Sequence, residues 1–256
     1  MKILMIGDVV GNPGRRTLKE KLMRLKYELG VAAVVVNAEN AAAGSGITVP
    51  IAQELFAAGA DAITMGDHTW GQKEFAPTIN QLKNFVRPAN YPPAAPGKGW
   101  CLVTTPICRF ALINLLGRVF MQPADCPFRT ADALLREIPK DVPVFLDFHA
   151  EATSEKLAMG YFLEGRASAV WGTHTHVQTS DCRVLPGGTG YITDLGMTGP
   201  ARSVLGIDVE QSINKFLGDP PRRYVSGGGP AKMECAVFEL DAETGKCLSA
   251  EALRIE

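Results

Sequence analysis

The sequence predicts an α/β fold, one domain over residues 1–256, with two β-sheets and helices on their outer faces. Three observations predict it. Short β-branched runs alternate with amphipathic segments, as where Leu18, Leu22, Leu25 and Leu29 recur at helical spacing. The early strands are almost continuously apolar, which marks a parallel sheet covered on both faces. Later in the chain, paired strands around short turns call for antiparallel partners as well.

In order, residues 2–10 read as a buried strand, 14–29 as a helix, 31–38 as a strand and 49–58 as a helix. Residues 62–65 form a third strand and 72–82 a helix. Around Pro106, residues 100–105 and 109–115 read as a hairpin. A helix at 128–137, a strand at 142–148 and a helix at 154–163, capped by Ser154, come next. Residues 184–185 and 191–193 pair across a Gly187-Gly188 turn, and strands at 236–240 and 248–255 follow. Segments 119–127 and 227–230 are the expected mobile loops.

Composition limits the function. Acidic and basic residues nearly cancel, leaving −1, so no extended nucleic-acid groove with its basic stripe is expected. A small phosphate ligand stays compatible, because a bound metal supplies positive charge locally. The six cysteines include no C-x-x-C pair, which fits reduced thiols in a cytoplasmic protein. Asp8 interrupts the apolar N-terminus too early for a signal peptide, and no run reaches the roughly 18 apolar residues of a membrane span.

All four histidines fall at the ends of strand-like runs: His68 after Met65-Gly66-Asp67, His149 after Phe145-Leu146-Asp147-Phe148, and His174-Thr175-His176 after Trp171-Gly172. Asp8, Glu39 and Asn40 end two further strands. Ligands gather beyond the carboxyl ends of strands in such sheets. Carboxylate, amide oxygen and imidazole together suit iron, manganese or zinc, and the lack of thiolate argues against a closed structural zinc site. Two close divalent ions need a bridging carboxylate, for which Glu39 and Asp8 both qualify, and such a pair activates water against a phosphoryl group. Gly44-Ser45-Gly46 reads either as a phosphate cradle or as a simple turn. Arg87 and Arg118 are alternative phosphate contacts or surface residues, Asp194 is a candidate partner for a ligand histidine, and Trp70 and Trp171 read as packing.

The order Gly7-Asp8, Asn37-Ala38-Glu39-Asn40, Gly66-Asp67-His68, His149, Gly172-Thr173-His174-Thr175-His176 resembles the calcineurin-like metallophosphoesterase superfamily. Ile6-Gly7-Asp8-Val9-Val10-Gly11, Arg87-Pro88-Ala89-Asn90, the run from Asp147 to Lys156 and that from Gly172 to Thr179 resemble its YmdB-like phosphodiesterases, from end to end of the chain. The resemblance implies a four-layer αββα sandwich, a homo-oligomer, and a dinuclear centre of iron or manganese, less readily zinc. It implies that Asp8, Glu39, Asn40 and His176 hold one ion, while Asp67, His149 and His174 hold the other and Glu39 bridges. His68 then binds no metal and acts as general acid, opposite a metal-bridging hydroxide, on 2′,3′- or 3′,5′-cyclic AMP.

Two residues depart from the superfamily pattern. Val10 stands where a histidine is usual, with Asn40 in its stead, and Asp67 replaces the usual asparagine. Two divalent ions bring +4, and Asp8, Glu39, Asp67 and hydroxide bring −4, where asparagine would leave +1. One unit charge at ~4 Å is worth roughly 4 kcal/mol at an effective dielectric of ~20. Asp67 is therefore expected to favour a mixed-valent pair or a monoanionic diester, which the diester-to-monoester ratio of Asp67→Asn tests. Two other readings remain open: a low-turnover, metal-containing regulatory or nucleotide-binding protein, and a phosphomonoesterase or protein phosphatase. A non-ligand imidazole at His68 weighs against the first.

Overall fold

Period-2 alternation along the strands sorts their side chains into buried layers, and these layers define the architecture. The computed structural model describes all 256 residues. The chain runs β1 (Lys2–Ile6), β2 (Asp8–Val9), α1 (Gly11–Leu29), β3 (Ala33–Asn37), α2 (Val49–Ala57), β4 (Ala62–Thr64) and β5 (Phe85–Val86). A hairpin of β6 (Trp100–Thr104) and β7 (Arg109–Leu116) follows, then α3 (Pro127–Glu137), β8 (Val144–His149), α4 (Thr153–Phe162) and β9 (Ala169–Thr173). Next come β10 (Arg183–Val184), β11 (Gly190–Ile192), β12 (Met197–Pro200), α5 (Val209–Phe216), β13 (Ala231–Leu240) and β14 (Cys247–Ile255).

The first sheet holds β1, β3, β4 and β5 in parallel. One edge of β13 pairs antiparallel with β14, and the other pairs with β12 through Ala231–Met233 and with β1 through Cys235–Glu239. The second sheet has the order β10-β11-β9-β8-β7-β6, parallel from β11 to β7 with an antiparallel strand at each end.

Three apolar layers follow from the alternation. Leu4, Ile6, Val34 and Val36 pack outward against Leu18 and Leu22 of α1 and Leu55 of α2. Ile3, Met5 and Val35 point the other way and meet Phe110, Phe145 and Trp171 between the sheets. Ile113, Leu146 and Phe148 face outward again, onto Leu135 of α3 and Met159 of α4. Helices, sheet, sheet, helices: this is the expected αββα sandwich. Each large side chain buried in these layers contributes roughly 1.5–3 kcal/mol.

The strand expected over 2–10 breaks at Gly7, where a β-carbon would lie 2.2 Å from the carbonyl oxygen of Gly196. The break lets Asp8 leave β1 and pair with Met197 of β12. The helix expected over 72–82 does not form; short 3-10 turns at Asp67–Trp70 and Ile79–Gln81 flank Pro77, which removes a donor and clashes with the preceding turn. α4 starts one residue earlier than expected, with Ala152 at the cap position and no side-chain cap from Ser154. β12 and α5 were not expected from the sequence pattern. All six cysteines are free, and no helix is long and apolar enough to cross a membrane.

Candidate metal centre

The inner faces of three strands carry the same progression. Along β3 and its extension it runs Val35, Asn37, Glu39; along β8 it runs Phe145, Asp147, His149; along β9 it runs Trp171, Thr173. Each begins in the apolar layer between the sheets and ends among polar groups at the carboxyl end. Asp8 after β1, Asp67 and His68 after β4, and His174 and His176 after β9 complete the ring.

Glu39, Asp67, His149 and His174 offer ligand atoms that lie within 4.8 Å of one another. His149 Nε2 is 3.3 Å from Glu39 Oε2 and 3.2 Å from Asp67 Oδ1, and His174 Nδ1 is 3.1 Å from His149 Nε2. Beside this group, His176 Nε2 is 3.1 Å from Asn40 Oδ1 and 3.8 Å from Asp8 Oδ1. Asp8 Oδ2 accepts from the backbone N–H of His174 at 3.2 Å, while its Oδ1 is buried with no partner. Burial pushes the Asp8 carboxyl up to about 7. Gly66 makes room for the first group: a β-carbon there would sit 2.3 Å from Glu39 Oε2 and 2.4 Å from His149 Nε2.

The donor set fits divalent transition metals, because each histidine beside it engages its outer nitrogen and turns the other inward. Thr173 donates its hydroxyl to Asp147 Oδ1 at 2.7 Å, so at 2.9 Å from His149 Nδ1 it acts as acceptor, and Nε2 faces the carboxylates. Glu151 Oε2 lies 3.0 Å from His174 Nε2, leaving Nδ1 inward. The Leu205 carbonyl accepts from His176 Nδ1 at 3.1 Å, leaving Nε2 toward Asn40 and Asp8. Burial opposes charge on His149, yet Glu39 and Asp67 hold its imidazole well above the usual range. Burial likewise opposes ionisation of Glu39, but His149 and His68 hold it well below the carboxylate range. Burial and the neighbouring His149 push His174 down to about 4, which leaves it neutral as a ligand must be. The buried carboxylates thus demand positive charge that a metal would supply.

Asp147 is itself wholly buried, accepting from Thr64, from Asn37 Nδ2 at 3.0 Å and from Thr173, so the relay that orients His149 joins both sheets. The His174-Thr175-His176 turn is held from below. His174 and His176 have φ of 96° and 61°, a left-handed backbone costing about 1–3 kcal/mol each. Asp194 Oδ2 accepts from Thr175 N at 3.1 Å and Thr175 Oγ1 at 2.6 Å, and Lys156 Nζ, also buried, donates to it at 2.7 Å.

His68 differs from the others. Its side chain is 42% exposed; Nδ1 lies 3.1 Å from Glu39 Oε1 and 3.0 Å from Asn40 Nδ2, and Nε2 has no hydrogen-bond partner in the protein. Its hydrogen bond to Glu39 raises its pKa.

Several expected contacts resolve differently. The amides of Gly44, Ser45 and Gly46 donate to Asn40, Ala42 and Glu39 carbonyls, so the segment is a turn that braces Asn40 and not a phosphate cradle. Arg87 is buried and donates to the carbonyls of Pro88, Ala95 and Pro96, which rules out a substrate contact. Asp194 pairs with Lys156 and Thr175, not with a histidine ring. Arg118 is exposed beside the centre, and Trp171 is packed in the core. The residues that orient the histidines, Asp147, Thr173 and Glu151, went unassigned in the sequence. Glu151 and Asp147 do lie in the Asp147–Lys156 run, but motif membership alone does not reveal which ring each one holds.

A family model described as YmdB-like protein matches residues 4–253. The 2′,3′-cyclic-nucleotide 2′-phosphodiesterase of Bacillus subtilis (strain 168) is 50% identical over 256 residues, covering 100% of this chain and 97% of its own. A crystal structure of a hypothetical protein from Thermus thermophilus superposes with a TM-score of 0.93 at 39% identity, over 100% of this chain and 99% of that one. A phosphatase structure from Mycoplasma pneumoniae also reaches 0.93, at 36% identity, over 100% and 93%. With its motifs, its layers and its full-length relatives in accord, the chain belongs to the YmdB-like family.

Proposed function

We propose that this chain hydrolyses 2′,3′-cyclic mononucleotides at the 2′ ester bond, with 3′,5′-cyclic AMP as a further substrate, and that His68 is the general acid. The chain is a phosphoric diester hydrolase of the metallophosphoesterase type, and the reading is carried by its 50% identity, end to end, with a phosphodiesterase of that specificity. Glu39, Asp67, His149 and His174 would hold one ion, and Asp8, Asn40 and His176, with Glu39 shared, the other. Iron or manganese, when bound there, supplies positive charge against the phosphate oxygens and activates water at neutral pH.

The protein's own part is orientation and proton transfer. Thr173, Glu151 and the Leu205 carbonyl fix which nitrogen of each histidine turns inward. Glu39 accepts from His68 Nδ1 and raises the pKa of the ring, so the imidazolium can give its other proton, on the unpartnered Nε2, to the departing sugar oxygen. A carboxylate-assisted imidazole of this kind contributes ~10²–10⁴-fold.

The test is hydrolysis of 2′,3′-cyclic AMP beside a phosphomonoester, by wild type and His68→Ala, with metal content measured in both. The expected result is diester turnover by a two-metal protein, reduced ~10²–10⁴-fold in the variant with both metals kept. Two bound metals without turnover of either substrate by wild type would overturn the reading.

A further inference from the structure

The loop after β7 is tied to the metal centre at both ends and presents an aromatic ring between the ties. Gly117 N donates to the His149 carbonyl at 2.9 Å. Arg118 N and Val119 N donate to the Glu155 carboxylate at 3.1 and 3.2 Å. At the far end, Gln122 Nε2 donates to the Asp67 carbonyl at 3.1 Å and to the Tyr91 hydroxyl at 2.7 Å. His149 and Asp67 are both candidate ligands, so the loop spans the edge of the site.

Between these anchors stands Phe120, 90% exposed, with φ 60°. Left-handed backbone is a genuine outlier for a bulky residue, and persists where surrounding contacts impose it. Phe120 is two residues from Gln122, so its Cα lies within about 7 Å of that anchor's Cα. A phenyl ring kept in water, on a strained and pinned backbone beside a phosphate-handling centre, has the character of a recognition surface.

We propose that Phe120 is the platform on which the nucleobase of the substrate stacks, and that it sets the preference for base-bearing over base-free phosphodiesters. This rests on the phosphodiesterase reading above. Stacking suits the position because every base has a π-face, so a single ring selects for the presence of a base without reading hydrogen bonds. It also selects by stacking strength, purine above pyrimidine.

The experiment compares 2′,3′-cyclic AMP with 1-O-methylribose 2′,3′-cyclic phosphate, in wild type, Phe120→Ala and Phe120→Trp, with the mass of each protein in solution recorded. The ratio of kcat/KM values, base-bearing over base-free, is expected to fall about 5- to 10-fold in Phe120→Ala, the low end for base–aromatic stacking. The change should lie in KM, and Phe120→Trp should keep the wild-type ratio. An unchanged ratio in Phe120→Ala, or a fall in oligomeric mass that assigns the ring to a subunit interface, overturns the proposal while wild-type turnover upholds the phosphodiesterase reading. Wild type that cleaves neither diester removes both.

Discussion

The two ends of the layer between the sheets are built from the same strands and do opposite jobs. At the amino ends, Ile3, Met5, Val35, Phe110, Phe145 and Ala169 make a dry contact that resists nothing but changes of volume. Toward the carboxyl ends, Asn37, Thr64, Asp147, Thr173 and His149 fill the layer with hydrogen bonds. The dry end holds the sheets together; the polar end decides which way one imidazole turns. Stability and metal affinity should therefore separate along a single strand, β8, whose inner face carries Phe145, Asp147 and His149 in turn.

The largest effect is expected from Phe145→Ala, which removes a fully buried ring in edge-to-face contact with Phe110, centroids 5.1 Å apart. It should cost about 3–5 kcal/mol in denaturant unfolding, with the metal affinity of the folded fraction kept. A comparable loss of metal affinity would break the separation. Asp147→Asn, two residues on, should do the reverse. It leaves Thr173 free to donate to His149 in place of accepting, and should weaken metal binding ~10–100-fold, about 1.4–2.7 kcal/mol, with a smaller change in unfolding. An Asp147→Asn protein that binds metal as wild type does would show that the relay orients nothing.

The smallest effect is a proton count. His149 is held above its usual range by Glu39 and Asp67, and Asp8 is pushed up to about 7, so both carry protons near neutrality without metal. Metal must displace them; binding at pH 7 should release about one proton or more, and affinity should rise as pH increases through 7. Titration calorimetry in buffers of different ionisation enthalpy measures this directly, and zero release would contradict the charge pattern of the polar end.

Strand-end polarity made the centre legible in sequence, because a strand that starts Val35-Val36 and ends Glu39-Asn40 has to deliver those groups to one edge. The layers were legible for the same reason, since alternation in β1, β3 and β8 is written in residue type. What escaped depends on partners distant in the chain. β12 reads Met-Thr-Gly-Pro, a turn by composition, and is a strand only because Asp8–Val9 and Ala231–Met233 flank it. The helix expected over 72–82 fails at Pro77, which removes a donor and clashes with the preceding turn. Glu151 and Thr173 were invisible as orienting groups because any oxygen at the right distance can hold an imidazole nitrogen. Arg87 is neither the phosphate contact nor the surface residue its loop position allowed: it is buried, and its guanidinium ties three carbonyls of its own loop.

The pairing of β13 with β1 also sets a timetable. β13 carries no candidate ligand, yet Gly7 N donates to the Glu234 carbonyl and Met197 N to Glu234 Oε2, so it braces the bend that aims Asp8. A ribosome adds residues in order, and a nascent chain exposed through His176 already displays every candidate ligand without β12 or β13. Closing contacts of such sequence separation comes late and at a cost in loop entropy. The candidate metal pocket is thus completed only after strands that carry none of its ligands have been made.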